Sequence, residues 1–97
     1  MKIFFHPKAE EELKEAVLYY EECQKGLGLK FLNEINKSLK RLKLFPFSSQ
    51  LIEDDIRRCL VNRFPFGIIY FVNDKKIIVL AIMHLKKKPG YWKDRLK

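Results

Sequence analysis

The stretch KIIVLAIMHLKKKPGYWKDRLK, residues 76–97, decides how the rest of the chain is read. From Ile77 to Met83 it is apolar without a break. A strand with one wet face alternates apolar and polar residues, so an unbroken run marks a central strand covered on both faces. Spanning a bilayer takes about 20 apolar residues, and this run is far shorter. It stops at His84, passes Lys86, Lys87 and Lys88, turns at Pro89-Gly90, and reaches Tyr91 and Trp92 among further charges. A covered strand needs two layers around it, and the upstream sequence has to supply them.

Immediately upstream, GIIYFV (67–72) is a strand, joined to the central one by a hairpin turn at Asn73-Asp74. IRRCLVNRF (56–64) is another. In it Arg57, Cys59, Val61 and Arg63 share one face, and Ile56, Arg58, Leu60 and Asn62 the other. Neither face is cleanly apolar, as expected of an edge strand or one bordering a functional surface. FPFSSQLIEDD (45–55) has the punctuation of a loop.

Two helices precede that loop. Pro7 suits a first helical position, where the missing N–H has no intrahelical partner, and Glu10, Glu11 and Glu12 complement the positive end of the helix. Ala9, Leu13, Ala16, Val17 and Tyr20 recur at helical spacing, predicting a helix to about Glu22. KGLG (25–28) breaks it. A second helix carries Phe31, Leu32, Ile35, Leu39 and Leu42 on one face and ends at Pro46, with Lys37, Lys40, Arg41 and Lys43 complementing its negative end. KIFF (2–5) is a short opening strand. The expected fold is α+β, in the order β-α-α-β-β-β. A small, mostly antiparallel sheet is packed on one face by a two-helix hairpin, a short C-terminal tail follows, and the other face stays partly open. All 97 residues fit one domain.

Charge is distributed unevenly. Residues 1–34 hold five lysines against seven acids, whereas residues 35–97 hold fifteen Lys and Arg against five acids, net +10. That polarity favours polyanionic partners, meaning nucleic acid or an acidic protein. Cys23 and Cys59 have neither CxxC nor metal-like spacing to His6 or His84, so neither a disulfide scaffold nor a metal site is expected. Together with an N-terminus unlike a signal peptide, this leads us to expect a cytoplasmic protein. The acidic run Glu53-Asp54-Asp55 reads as a solvated turn, and no cofactor signature is present.

Two constellations could carry chemistry. The lysines beside His84 favour a neutral imidazole, the form that accepts a proton; alternatively the ring simply ends a strand. Tyr91 and Trp92, interleaved with Lys93 and Arg95, match what single-stranded nucleic acid needs, aromatic faces and phosphate-binding cations. The alternative is that both rings fold back over the core.

The opening HPKAEEEL, the hairpin YYEE…GLGLKFLNEI, RRCLVNRFPFGIIYFV and the ending VLAIMH…KKKPGYWKDR, in that order, resemble the RelE/ParE superfamily of type II toxin–antitoxin toxins. The resemblance covers nearly the whole chain. It implies a sheet backed by a helical hairpin and an acidic antitoxin partner that folds on binding. For the plasmid-stabilisation, ParE-like branch, which FPFGIIY and the ending resemble more closely, it implies inhibition of DNA gyrase through protein contact. Lys86, Lys87, Lys88, Trp92, Lys93 and Arg95 would then be contact residues. For the RelE-like branch it implies a metal-independent endoribonuclease acting on messenger RNA at the ribosome. There Arg58 or Arg63 would hold the phosphate, His84 would be the base, and Tyr91 would stack or transfer a proton. A basic binding module without toxicity is the third possibility.

Overall fold

The computed structural model describes residues 1–96. Its elements are β1 (Lys2–Phe5), α1 (Pro7–Cys23), α2 (Leu27–Leu44), β2 (Gln50–Glu53), β3 (Ile56–Leu60), β4 (Phe66–Asn73), β5 (Lys76–His84) and a 3₁₀ segment η1 (Tyr91–Leu96). The five strands form one sheet in the order β1-β5-β4-β3-β2. β1 runs parallel to β5, and the remaining pairs are antiparallel. The expected α+β order holds, with one strand added: part of the 45–55 loop pairs as β2.

β2 is an edge strand whose residues are exposed or half-buried, so it lacks the apolar alternation that reveals a strand. It also moves the edge outward, and β3 becomes the second strand from the border. The mixed faces of β3 have another origin. Cys59 joins the core under the helices, while Ile56 joins the core on the far side, and Arg58 is left on that far side where cover ends.

His6 caps α1, its Nδ1 accepting from the Lys8 amide at 3.1 Å. At the hairpin, the Glu21 carboxylate accepts from the Gly26 and Gly28 amides at 3.0–3.1 Å, placing negative charge at the start of α2. The helices approach closely because residue 28 has no side chain: a Cβ there would lie 2.7 Å from the Val17 carbonyl oxygen.

β5 is covered on both faces, as its unbroken apolar run requires. On the helix side, Ile77, Val79 and Ile82 pack with Phe31, Ile35 and Leu42 of α2 and Ala9 and Ala16 of α1. On the other side, Leu80, Ala81 and Met83 pack with Ile56, Ile69 and Trp92. Leu80 and Ala81 fall on the same side because the β4–β5 register slips there: Ile69 pairs with Ala81, but Tyr70 pairs with Val79. This is a β-bulge, with one extra residue on β5.

Candidate functional site: the C-terminal edge

The bulge falls where β1 ends. β1 pairs with β5 as far as Val79, the His6 amide donates to the Val79 carbonyl, and the chain then turns into α1. Beyond that point the Ile82 amide and the Leu80 carbonyl need other partners, since buried backbone polar groups are costly to leave unpaired. Glu12 and Arg95 supply them. Glu12 Oε1 accepts from the Ile82 amide at 3.1 Å, and Arg95 Nη1 donates to the Leu80 carbonyl at 2.9 Å. The two side chains also pair bidentately, Nη1 to Oε1 at 2.8 Å and Nη2 to Oε2 at 3.0 Å.

Tyr91 completes the cluster by donating its hydroxyl to Glu12 Oε2 at 2.7 Å. Burial alone would raise the Glu12 pKa, but the hydrogen bonds from Arg95, Tyr91 and Ile82 outweigh it and hold the carboxyl below its ordinary value. Burial, reinforced by the adjacent carboxylate, pushes the Tyr91 hydroxyl well above the usual tyrosine range. Its hydrogen bond to Glu12 raises Arg95 further, so the guanidinium stays charged. α1, β5 and η1 are thus tied together by Glu12 and two side chains of η1 that lie 79 and 83 residues further on.

Trp92 is 3% exposed and closes the second face of the sheet, so in this arrangement its ring is core and not a stacking platform. One exposed lysine stands over Tyr91. Lys87 Nζ lies 4.4 Å from the centroid of the Tyr91 ring, and the Arg95 guanidinium carbon 5.1 Å. Lys86 and Lys88 are exposed in the loop, and Lys93 pairs with Glu53 of β2 at 3.0 Å. The outer surface of η1 and its loop is therefore basic, with one aromatic ring.

His84 points to the helix side, edge-to-face with Phe66 at 5.1 Å. It lines an open cleft of about 320 Å³ with Glu15, Ala16 and Tyr19 of α1 and with Lys87. Its Nδ1 accepts from the Lys86 amide at 3.0 Å, which assigns the proton of the neutral ring to Nε2. Outward, then, the neutral ring presents a donor. Arg58 is on the opposite face of the sheet, its stem lying across Gly67 of β4. Arg63 is exposed, in the turn after β3, beside Leu27 and Lys30 at the start of α2. Among the described residues no hydrogen bond or ring contact joins any two of the four residues a nuclease centre would combine, although Glu12, the partner of the Tyr91 hydroxyl, also lines the His84 cleft.

Glu12 had no place among the expected site residues. Its signal was available, since it stands three residues after Ala9 and four before Ala16, on the buried stripe of α1. Glu53 ends β2 and Asp54-Asp55 form the β2–β3 turn, and among the described residues no group of His, Cys, Asp and Glu could hold a metal ion. No described helix is long and apolar enough to cross a membrane.

Comparison with known proteins adds the family. Residues 3–89 match the family described as ParE toxin of type II toxin-antitoxin system, parDE. The chain belongs to the ParE toxin family. The matched span runs from β1 through the lysine loop and ends just before η1. A solved chain from the chromosomal ParDE toxin–antitoxin system of P. aeruginosa superposes with a TM-score of 0.78. The alignment covers 89% of this chain and 97% of that one at 21% identity, a likeness of fold. No curated protein sequence matches the chain. The toxin is therefore of the ParE-like kind, in the branch that the FPFGIIY stretch and the ending resemble.

Proposed function

We propose that this toxin arrests growth by binding DNA gyrase, without chemistry of its own, and that an acidic antitoxin segment neutralises it. The observation that carries this reading is the separation of its reactive-type side chains. Cleavage by a ribose 2′-OH needs a base, an acid and a cation around one phosphate, within hydrogen-bond reach of the reacting atoms. Here His84 faces the helices, Arg58 the opposite side of the sheet, and Arg63 the start of α2. The Tyr91 hydroxyl is bound to Glu12. Such a scatter suits a surface that docks against another protein. The basic C-terminal half, net +10, suits an acidic antitoxin, whose ordering on binding would be offset by the large surface it covers.

A ribosome-dependent ribonuclease is the second reading. What favours it is the exposed Lys86–Lys88 run beside the cation-flanked Tyr91 ring, a surface suited to phosphate and base. A paired assay on purified toxin free of antitoxin decides between them, following supercoiling by gyrase and messenger RNA cleavage on translating ribosomes. Blocked supercoiling with intact RNA supports the first reading, and ribosome-dependent cuts with gyrase unaffected support the second.

A further inference from the structure

Arg58 is held in an unusual way. It sits in β3 opposite Ile69, on the face away from the helices, and its stem crosses the neighbouring strand at Gly67. A Cβ at Gly67 would lie 2.9 Å from Arg58 Cγ and 3.1 Å from Cδ, so a side chain there would push the arginine off β4. Glycine weakens a strand interior, and here it marks a place where another group lies close to the backbone.

The head of Arg58 is poorly satisfied. Its Nε is buried with no partner among the described residues, and Nη2 reaches only Gln50 Oε1, at 3.5 Å. None of the ion pairs among the described residues includes Arg58. Arg95, by contrast, has both a carboxylate and a carbonyl. A guanidinium N–H deprived of water and left unpaired is costly, and each such group asks for an explanation.

The surroundings indicate what would satisfy it. On this face Trp92 is buried in one cluster with Ile56, Ile69, Leu80, Ala81 and Met83, flanked by Phe71 and Tyr91. Beyond that cluster Leu60 is 52% exposed and Leu85 is 41% exposed, and a Leu85 methyl is 3.6 Å from the Gly67 Cβ position. The neighbouring Arg57 faces the other way, donating to the Phe47 and Ser49 carbonyls. The patch is one under-bonded guanidinium between two exposed leucines.

We infer that Arg58 is the receptor for a single carboxylate on an acidic, apolar segment of a protein partner, with Leu60 and Leu85 packing the apolar residues beside that carboxylate. A guanidinium fork matches a carboxylate bidentately, and the carboxylate would take the outer Nη groups, which have only the 3.5 Å contact with Gln50. One cation between leucines suits an isolated acidic side chain better than a phosphodiester chain with its repeated charges. The inference rests on the reading that the toxin works by protein contact, and it names one contact.

The test uses the full-length toxin and follows the Arg58 Nε–H resonance by ¹⁵N NMR. The probes are the capped tripeptides Leu-Glu-Leu and Leu-Gln-Leu and inorganic phosphate. The Glu peptide should shift the Arg58 signal saturably, with the Gln peptide weaker by about tenfold or more, as expected for a charge-assisted pair. Arg58→Lys keeps the charge and removes the fork, and it should weaken Glu-peptide binding about as much while the chain stays folded. No shift, equal binding of the two peptides, or phosphate acting as well as the Glu peptide would each overturn the inference. Gyrase inhibition by the wild-type toxin, measured alongside, separates the two readings. Selective peptide binding to the wild type with no gyrase inhibition leaves the carboxylate site standing and removes the target assignment.

Discussion

Glu12 and Arg95, 83 residues apart, meet in a bidentate pair at 2.8 and 3.0 Å that closes the edge of β5 where β1 stops. Their side chains are only 14% and 11% exposed, so the pair holds the C-terminal segment in place. Removing one partner of a fully buried pair costs about 3–5 kcal/mol; with some water access, Arg95→Ala should cost roughly 2–3 kcal/mol. The loss should fall on η1 first. Hydrogen exchange is expected to show faster exchange in η1 and at the Ile82 amide, with α2 protected as before. Uniform loss of protection across the chain would contradict this division.

Acid should release the same segment. The Glu12 carboxyl is depressed in the folded state, so its contribution is complete above its unfolded value, about pH 4.3, and is lost as pH falls through the lower folded value. Tyr91 works in the opposite sense. Its raised hydroxyl contributes fully below about pH 10 and less as pH rises beyond that. Trp92 is the sole tryptophan, so its fluorescence reports both ends directly. The acid transition should change in Glu12→Gln, and an unchanged transition would detach it from Glu12.

Trp92 itself should fluoresce at short wavelength and resist acrylamide, because it is buried against Ile69, Leu80 and Met83. Trp92→Ala should cost about 3–5 kcal/mol, the usual loss for a large buried aromatic. Trp92→Phe should cost much less, near 1–2 kcal/mol, because the indole Nε1 has no hydrogen-bond partner to lose. Urea denaturation followed by circular dichroism measures both variants. A phenylalanine variant as unstable as the alanine one would show that the indole N–H matters after all.

The helical hairpin offers a separate check. Gly28→Ala would set a methyl 2.7 Å from the Val17 carbonyl, a backbone atom with little room to move. Overpacking of this kind costs about 1–3 kcal/mol, so a fall in midpoint is expected. An unchanged midpoint would mean that the helices separate without penalty.

The helices and the central strand were legible because burial leaves a periodic trace. The stripe Ala9, Leu13, Ala16, Val17, Tyr20 gave α1, and the unbroken apolar run gave β5 its two covered faces. β2 left no such trace, since an edge strand is held by backbone hydrogen bonds to β3 and not by burial. The bulge at Leu80 was hidden for the opposite reason: within a wholly apolar run a shift of register changes no pattern. Glu12 was masked by Glu10 and Glu11, whose ordinary role at a helix start explains all three until the tail is seen to return. Trp92 was open between core and surface because composition around it is charged. Its place depends on how the chain turns at Pro89-Gly90, a matter of tertiary packing.

Stoichiometry tests most directly the proposal that the toxin acts by occupying its target, with no chemical step. Gyrase supercoiling should be titrated with wild-type toxin and with His84→Ala. Inhibition is expected to saturate near equimolar toxin and gyrase, and to be nearly unchanged in the variant, because His84 packs on Phe66 and caps the end of β5. Supercoiling left untouched, together with RNA cut many times per toxin molecule and cutting abolished in His84→Ala, would contradict the claim and make His84 catalytic.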